Sequence, residues 1–282
     1  YGAGGDPVWQ YDHVMANDQE AKSVAVDPAG YIIITGFSQN ASEDFVTLKV
    51  KADGSGKLWD AVYDYNNANT SNDRGIAVAI DSSGHVIVVG QINNGSSMDI
   101  HTIKYNGATG AVLWENTYDG PSGGHEYPLA IAVDELDNVF VAGKSMNGSG
   151  DFDGLVLKYS PIGPNPDGTP IWDVTFDGSV GSQNDEWADL DADANGIAVT
   201  GTTHNGTDID IVTLKYNQDS TEAWAGGPVI HDGGFGDDHG SYVVLDSSGN
   251  VIVTGHTGDG SGADIYTVKY NSADGSEAWN TP

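Results

Sequence analysis

SYVVLDSSGNVIVTGHTGDGSGADIYTVKYNSADGSEAW, residues 241–279, is one copy of a phrase that the chain repeats. Four further copies precede it, and each ends in a tryptophan. These are Trp59, Trp114, Trp172, Trp224 and Trp279, with Trp9 ahead of the series. Their separations are 50, 55, 58, 52 and 55 residues, a period that marks a propeller, a solenoid or an array. Each copy holds four short runs. The first is small and apolar (IAVAID, 76–81) and the second alternates (HVIVVG, 85–90). The third opens on Asp and closes on Lys-Tyr (DIHTIKY, 99–105; DIVTLKY, 210–216; DIYTVKY, 264–270), and the fourth carries the tryptophan (AVLWENTY, 111–118). β-Branched and aromatic residues fill the runs, while Gly, Asn, Asp and Ser fill the gaps, the pattern of strands and turns. Four strands per period are the content of one propeller blade.

The sequence therefore predicts an all-β, five-bladed β-propeller of four-stranded antiparallel blades, in a single domain over 1–282. The blades fall at about 22–63, 76–118, 129–176, 188–226 and 241–279. Prolines in SPIGPNPDGTP (160–170) make that stretch a loop, and AGGPVIHDGG (225–234) reads as an insertion between blades 4 and 5. A surplus fourth-type strand, PVWQYD at 7–12, precedes blade 1. An open ring would leave two strand edges exposed to other chains. The expectation is that residues 7–12 pair with the third strand of blade 5 and close the ring, leaving EAWNTP (277–282) over. In the alternative, EAWNTP completes blade 5 and the N-terminal strand is free to enter a neighbouring molecule.

Composition narrows the function. Ten basic residues face 41 acidic ones, a formal charge of −31, which argues against nucleic acid and against an acidic membrane surface as partners. No apolar run is long enough to span a bilayer. Cysteine is absent, so disulfides and zinc–thiolate sites are excluded. A start at Tyr1 and a composition rich in Gly, Asn, Ser and Thr fit a processed protein that is secreted or held at a cell surface.

The fourth-to-first loops are long and acidic, and on a propeller they share one face. Carboxylates gathered there suit Ca²⁺, which takes six to eight oxygen ligands. The candidate metal ligands are Asp73, Glu126, Asp185, Glu186 and Asp238 in these loops, with Asp189 and Asp191 on the first strand of blade 4. The last two stand where other blades have Ala, and burying them without a partner is costly. A solvated acidic rim and a wet channel wall are the alternatives. Lys49, Lys104, Lys158, Lys215 and Lys269 recur at one register and are half of the basic residues. Each is expected to meet an Asp, either in the Asp44, Asp99, Asp153, Asp210, Asp264 set or in the Asp27 set. Asn40, Asn69, Asn94, Asn147 and Asn205 begin N-glycosylation triplets, although Asn-Gly followed by small polar residues is also ordinary turn chemistry. No HExxH and no ligand-spaced His pair occurs, and no catalytic residue is assigned.

The phrases AIAVDELDNVFVAGKS (130–145), DSSGNVIVTG (246–255) and DIYTVKYNSADGSEAW (264–279) closely resemble the bacterial SBBP-type β-propeller repeat. The resemblance covers essentially the whole chain. It implies a secreted or cell-surface protein, usually without catalysis. The family is often associated with seven blades, and the count of five comes from this sequence. Blade 4 departs from the pattern with Asp189 and Asp191, and blade 1 has Lys49-Val50 where other blades have Lys-Tyr.

The resulting expectation is a non-enzymatic binding or structural propeller, stabilised by Ca²⁺, that meets an extracellular protein or glycan. One alternative is a self-assembling subunit, as in a filament or surface layer, linked to its own copies through the surplus strand. The other is a carbohydrate-active enzyme using Asp189, Asp191 and Glu126 as axial carboxylates.

Overall fold

The structure, a computed structural model, describes residues 8–13, 18–39, 41–65, 71–178, 183–234, 236–258 and 262–281. Every element among them is a β-strand. The chain forms two compact units, Tyr1–Thr117 and Tyr118–Pro282. Blade 1 comprises β1 (Gln19–Val26), β2 (Ile32–Gln39), β3 (Glu43–Val50) and β4 (Lys57–Tyr63). Blade 2 comprises β5 (Arg74–Ile80), β6 (Val86–Asn93), β7 (Met98–Tyr105) and β8 (Val112–Tyr118). Blade 3 holds β9 (Glu126–Val133), β10 (Val139–Met146), β11 (Phe152–Tyr159) and β12 (Trp172–Phe176). Blade 4 holds β13 (Glu186–Asp193), β14 (Gly196–His204), β15 (Ile209–Asn217) and β16 (Val229–His231). Blade 5 holds β17 (His239–Leu245), β18 (Val251–Gly258), β19 (Ala263–Tyr270) and β20 (Glu277–Thr281). All five are four-stranded sheets with strands in chain order.

Second and third strands of blades 2, 3 and 4 are covered on both faces, which is why runs such as Val86–Val89 are continuously apolar. A β-bulge recurs in the first strands of blades 1, 2, 4 and 5, and the β9–β10 ladder slips at the matching place. It swings a first-strand carbonyl against a second-strand glycine. A Cβ at Gly36, Gly143, Gly201 or Gly255 would strike the carbonyl of Glu20, Tyr127, Glu186 or His239. The glycine inside each second strand is thus the partner of that bulge.

Blades join face to face. In the first unit, Phe45 fills the space left by Gly75 and Gly90, within a cluster of Ile33, Trp59, Val86, Val88, Ile103 and Tyr105. Lys49 Nζ and Trp59 Nε1 both donate to the carbonyl of Gly107 on the next blade, at 2.8 and 3.1 Å. In the second unit, Lys158 and Trp172 donate to the Gln218 carbonyl at 2.8 and 3.0 Å. Trp224 there donates to the Ser272 carbonyl at 3.2 Å. Three of the five lysines pair with the Asp27 set: Lys49 with Asp27 at 2.6 Å, Lys104 with Asp81 at 2.8 Å and Lys269 with Asp246 at 2.6 Å, whereas Lys158 and Lys215 form no ion pair among the described residues and donate to the carbonyls of Gln218 and Gly249 at 2.8 Å.

Three expectations are corrected. First, the N-terminal strand does not complete blade 5. Residues 8–13 form no strand, and residue 7 lies outside the described residues. Trp9 instead covers Gly54, as Trp59 covers Gly110 and Trp224 covers Gly275. Tyr11 packs on Val46, Leu48 and Val50. Blade 5 takes its fourth strand from EAWNTP: β20 pairs with β19, with Lys269 opposite Trp279 and Val268 opposite Asn280. The turn between them closes through Asn271 N to the Ser276 carbonyl at 2.8 Å. A local hairpin costs far less closure entropy than recruiting a strand from the far end of the chain. Second, the insertion at 225–234 is not all loop, because it supplies β16, which pairs Val229, Ile230 and His231 with Thr213, Val212 and Ile211. Trp224 then lies ahead of the strand but is still only 1% exposed. Third, the first strands of blades 1, 2, 3, 4 and 5 begin two or three residues earlier than expected, because the residues before each apolar core still pair in the ladder.

Candidate metal centre

Three positions per junction carry acid. One is the Asp opening the third strand of a blade. One follows the fourth strand, as Asp-Gly in Asp119-Gly120, Asp177-Gly178 and Asp232-Gly233. One precedes or opens the next first strand, as in Asp73, Glu126, Asp185 and Asp238. In the second unit these converge. Asp153, Asp177 and Asp185 each bring a carboxylate oxygen within 4.8 Å of the others, and so do Asp210, Asp232 and Asp238. Either group could hold a metal ion.

The glycine of Asp-Gly lets the loop backbone reach the first-strand acid. Gly178 N donates to Asp185 at 2.8 Å, and Gly233 N donates to Asp238 Oδ2 at 2.5 Å. A Cβ on either glycine would crowd that carboxylate. Asp238 Oδ1 also accepts from Gly258 N at 2.8 Å. The third-strand acids are held by asparagine: Asn147 Nδ2 donates to Asp153 at 2.9 Å, and Asn205 Nδ2 donates to Asp210 Oδ2 at 3.0 Å. Asp210 is 2% exposed, and its Oδ1 has no hydrogen-bond partner among the described residues.

Electrostatics set these groups apart. Burial raises the pKa of Asp210, and neighbouring Asp232, Asp208 and Asp238 push it further up. Burial also raises Asp153 and Asp185, with Asp177 adding to both. Each carboxylate is short of positive charge, since none joins an ion pair among the described residues. In the first unit, Asp73 is fully buried and accepts from Tyr65 N at 2.7 Å, Ser71 Oγ at 3.0 Å and Asn93 N at 3.1 Å. Burial raises its pKa, and Asp64 adds to the rise. Glu126, also fully buried, accepts from Ser145 Oγ at 3.0 Å.

The remaining candidates serve other ends. Asp189 Oδ2 accepts from Val243 N at 2.9 Å and Asp191 Oδ2 from Leu245 N at 2.7 Å. Strand β17 is the edge of its sheet, and these carboxylates satisfy amides that the edge leaves unpaired. Burial raises the Asp189 pKa, with Asp191 contributing. Glu186 is paired with Lys144 at 2.6 Å. The sequence offers Asp153 and Asp210 as one of two possible sets of lysine partners and not as metal ligands. Their recurrence one residue into each third strand was the available signal.

The amides of three sequon asparagines face inward. Asn94 Nδ2 donates to Asp99 at 2.7 Å, and Asn147 and Asn205 do likewise toward Asp153 and Asp210. Asn40 and Asn69 lie outside the described residues.

No family model matches the chain, and no curated protein does. Solved structures do match. A protein of unknown function from Bacteroides caccae superposes with a TM-score of 0.53 at 16% identity, over 97% of this chain and 84% of its own. The periplasmic gluconolactonase PpgL of Pseudomonas aeruginosa gives 0.55 at 10% identity, over 91% and 70%. A europium-containing methanol dehydrogenase gives 0.54 at 12% identity, over 97% of this chain and 65% of its own. The likeness is one of fold. Five four-stranded antiparallel sheets with these neighbours make the chain β-propeller-like. No helix among the described residues is long and apolar enough to cross a membrane.

Proposed function

We propose that the chain is a non-catalytic binding or structural β-propeller of the SBBP-type repeat kind, secreted or held at a cell surface. Its acidic junction loops load Ca²⁺ and meet an extracellular protein or glycan. The observation that carries the reading is the fate of the acids. The pair best suited to catalysis, Asp189 and Asp191, is taken up by backbone amides of β17. The acids left without cations recur at blade junctions. Acids that repeat with the fold serve every blade alike, whereas a catalytic group is needed once.

Thermal melting tests the reading. Millimolar Ca²⁺ is expected to raise the melting temperature of the EDTA-treated protein by several degrees, because a ligand that binds only the folded state stabilises it. An unchanged melt removes the calcium part. Turnover on a panel of polysaccharides that is lost in Asp189→Asn would replace the reading with the glycosidase.

A further inference from the structure

We propose that Asp210, Asp232 and Asp238 form a Ca²⁺ site that clasps blade 4 to blade 5, with Asp153, Asp177 and Asp185 forming its counterpart between blades 3 and 4. This rests on the reading of the chain as a cation-loading propeller and assigns the ligands.

The donors come from separate places in the chain. Asp210 lies on β15, Asp232 directly follows β16, and Asp238 directly precedes β17. An ion held by all three ties the third strand of one blade to the first strand of the next. Asp210 Oδ2 is capped by Asn205. Its Oδ1 is buried with no donor, beside two further carboxylates. A buried anionic oxygen without a partner is costly, and a cation among the three carboxylates removes that cost. All donors are oxygens, with no His or Cys, which selects a hard cation over zinc. Water and loop carbonyls complete a Ca²⁺ shell.

The sequence supports the junction role independently. Where Asp-Gly follows a fourth strand, an acid stands at the entry to the next first strand: Glu126, Asp185 and Asp238. No Asp-Gly precedes blade 1, and Gln19 holds that position. Asp73 holds it in blade 2, where Asp64-Tyr65 stands in place of Asp-Gly.

Calcium titration by calorimetry of the whole chain, alongside Asp210→Asn, Asp232→Asn and Asp153→Asn, tests the assignment. Asn keeps the shape of Asp, and Asp232 is exposed, so that variant cannot fail for lack of folding. Each variant is expected to lose one bound ion, or to weaken one site at least about tenfold. In EDTA, Asp210→Asn is expected to melt no lower than the parent, because it removes one of three crowded like charges; Ca²⁺ then raises its melting temperature less than the parent's. Parent-like binding by Asp210→Asn and Asp232→Asn overturns these ligands while leaving a calcium-loaded propeller standing. An Asp210→Asn that melts well below the parent in EDTA, with calcium binding intact, assigns the carboxylate to scaffold and also overturns the site. If the parent itself binds no Ca²⁺, the functional reading falls with it.

Discussion

Trp187 shows how one residue can reverse a packing rule without breaking it. At two junctions a large third-strand residue enters a glycine on the next blade: Phe45 against Gly75, and Ile211 against Gly240. At the junction of blades 3 and 4 the sizes are exchanged. Gly154 is the third-strand residue, and the fully buried Trp187 of β13 fills its space against Phe176. A Cβ on Gly154 would lie 2.8 Å from Trp187 Nε1. Gly154→Ile is therefore expected to cost about 1–3 kcal/mol by overpacking, and Trp187→Gly about 3–5 kcal/mol through the cavity it leaves. The double variant restores the arrangement of the other junctions and should cost less than the sum of the two. Urea unfolding of all four proteins measures the coupling, and additivity would mean that the two residues do not share one space. His101 offers a second test. It stands where the other blades have Val46, Leu155, Val212 and Tyr266, stacked on Tyr63 with Nδ1 at 2.9 Å from Thr117 Oγ1. Burial lowers its pKa from 6.5 to about 4. Between those values the unfolded chain takes up a proton that the folded chain refuses, so stability falls as pH drops from 6.5 toward 4. The total at stake is about 3 kcal/mol. His101→Leu should match the parent to within about 1 kcal/mol at pH 7.5 and exceed it at pH 4.5. Equal pH profiles would show that the imidazole is charged in the fold.

At the scale of the element, the repeated lysine reaches across to the next blade at three junctions, through Lys49, Lys158 and Lys215 to the carbonyls of Gly107, Gln218 and Gly249. Lys49 is 4% exposed. It pairs with Asp27 at 2.6 Å, donates to the Gly107 carbonyl at 2.8 Å and lies 5.0 Å from the Tyr31 ring centre. Asp27 Oδ1 accepts from Ala29 N and Tyr31 N, both at 2.9 Å, so one carboxylate shapes the β1–β2 turn and anchors the cation. Burial alone would raise the Asp27 pKa, but Lys49 and the two amides outweigh it and hold it below the usual range. Lys49→Met strands that carboxylate and is expected to cost about 3–5 kcal/mol. Adding Asp27→Asn, which keeps a turn acceptor, should recover a large part of the loss, as chemical denaturation of the set will show. The repeat made this much readable in advance, because a lysine that occurs five times at one register has a structural task. The tryptophan wedges and the meander of each blade were readable for the same reason. The sequence was silent where the outcome depends on what lies across a junction. Nothing at positions 189 and 191 reveals that the edge amides of β17 arrive opposite them, so two hydrogen-bonding carboxylates looked like metal ligands. The third-strand acids Asp153 and Asp210 stand as one of two alternative partner sets for the lysines because strand spacing alone does not say which end of the blade a side chain meets. Trp9 looked like a strand because it repeats the tryptophan, yet its indole performs the wedge role on Gly54 with no ladder behind it.

For the whole molecule, the dominant fact is charge: 41 acidic residues against 10 basic ones, a net −31. Half of the bases are the repeat lysines, which leaves few cations for the loops. Self-repulsion of this size destabilises a compact chain, and it is screened over about 10 Å at 0.1 M salt. The attractive pairs Lys49–Asp27 and Lys104–Asp81 are buried, at side-chain exposures of 5 and 4% and 4 and 2%, so salt weakens them less than it weakens the repulsion between exposed loops. The sign follows: in EDTA, raising NaCl from low to high concentration should stabilise the protein. A gain of 1 kcal/mol corresponds to roughly 2–4 °C in a chain of this size, so a rise of several degrees is expected. Ca²⁺ should exceed NaCl at matched ionic strength, because screening acts on all charges alike and site binding acts on the junction acids alone. Differential scanning calorimetry across a salt series, with and without Ca²⁺, separates the two contributions. A melting temperature that is flat in NaCl but rises with Ca²⁺ would place the repulsion that matters within the junction clusters. Coincident curves at matched ionic strength would assign it to the surface as a whole and count against specific calcium sites.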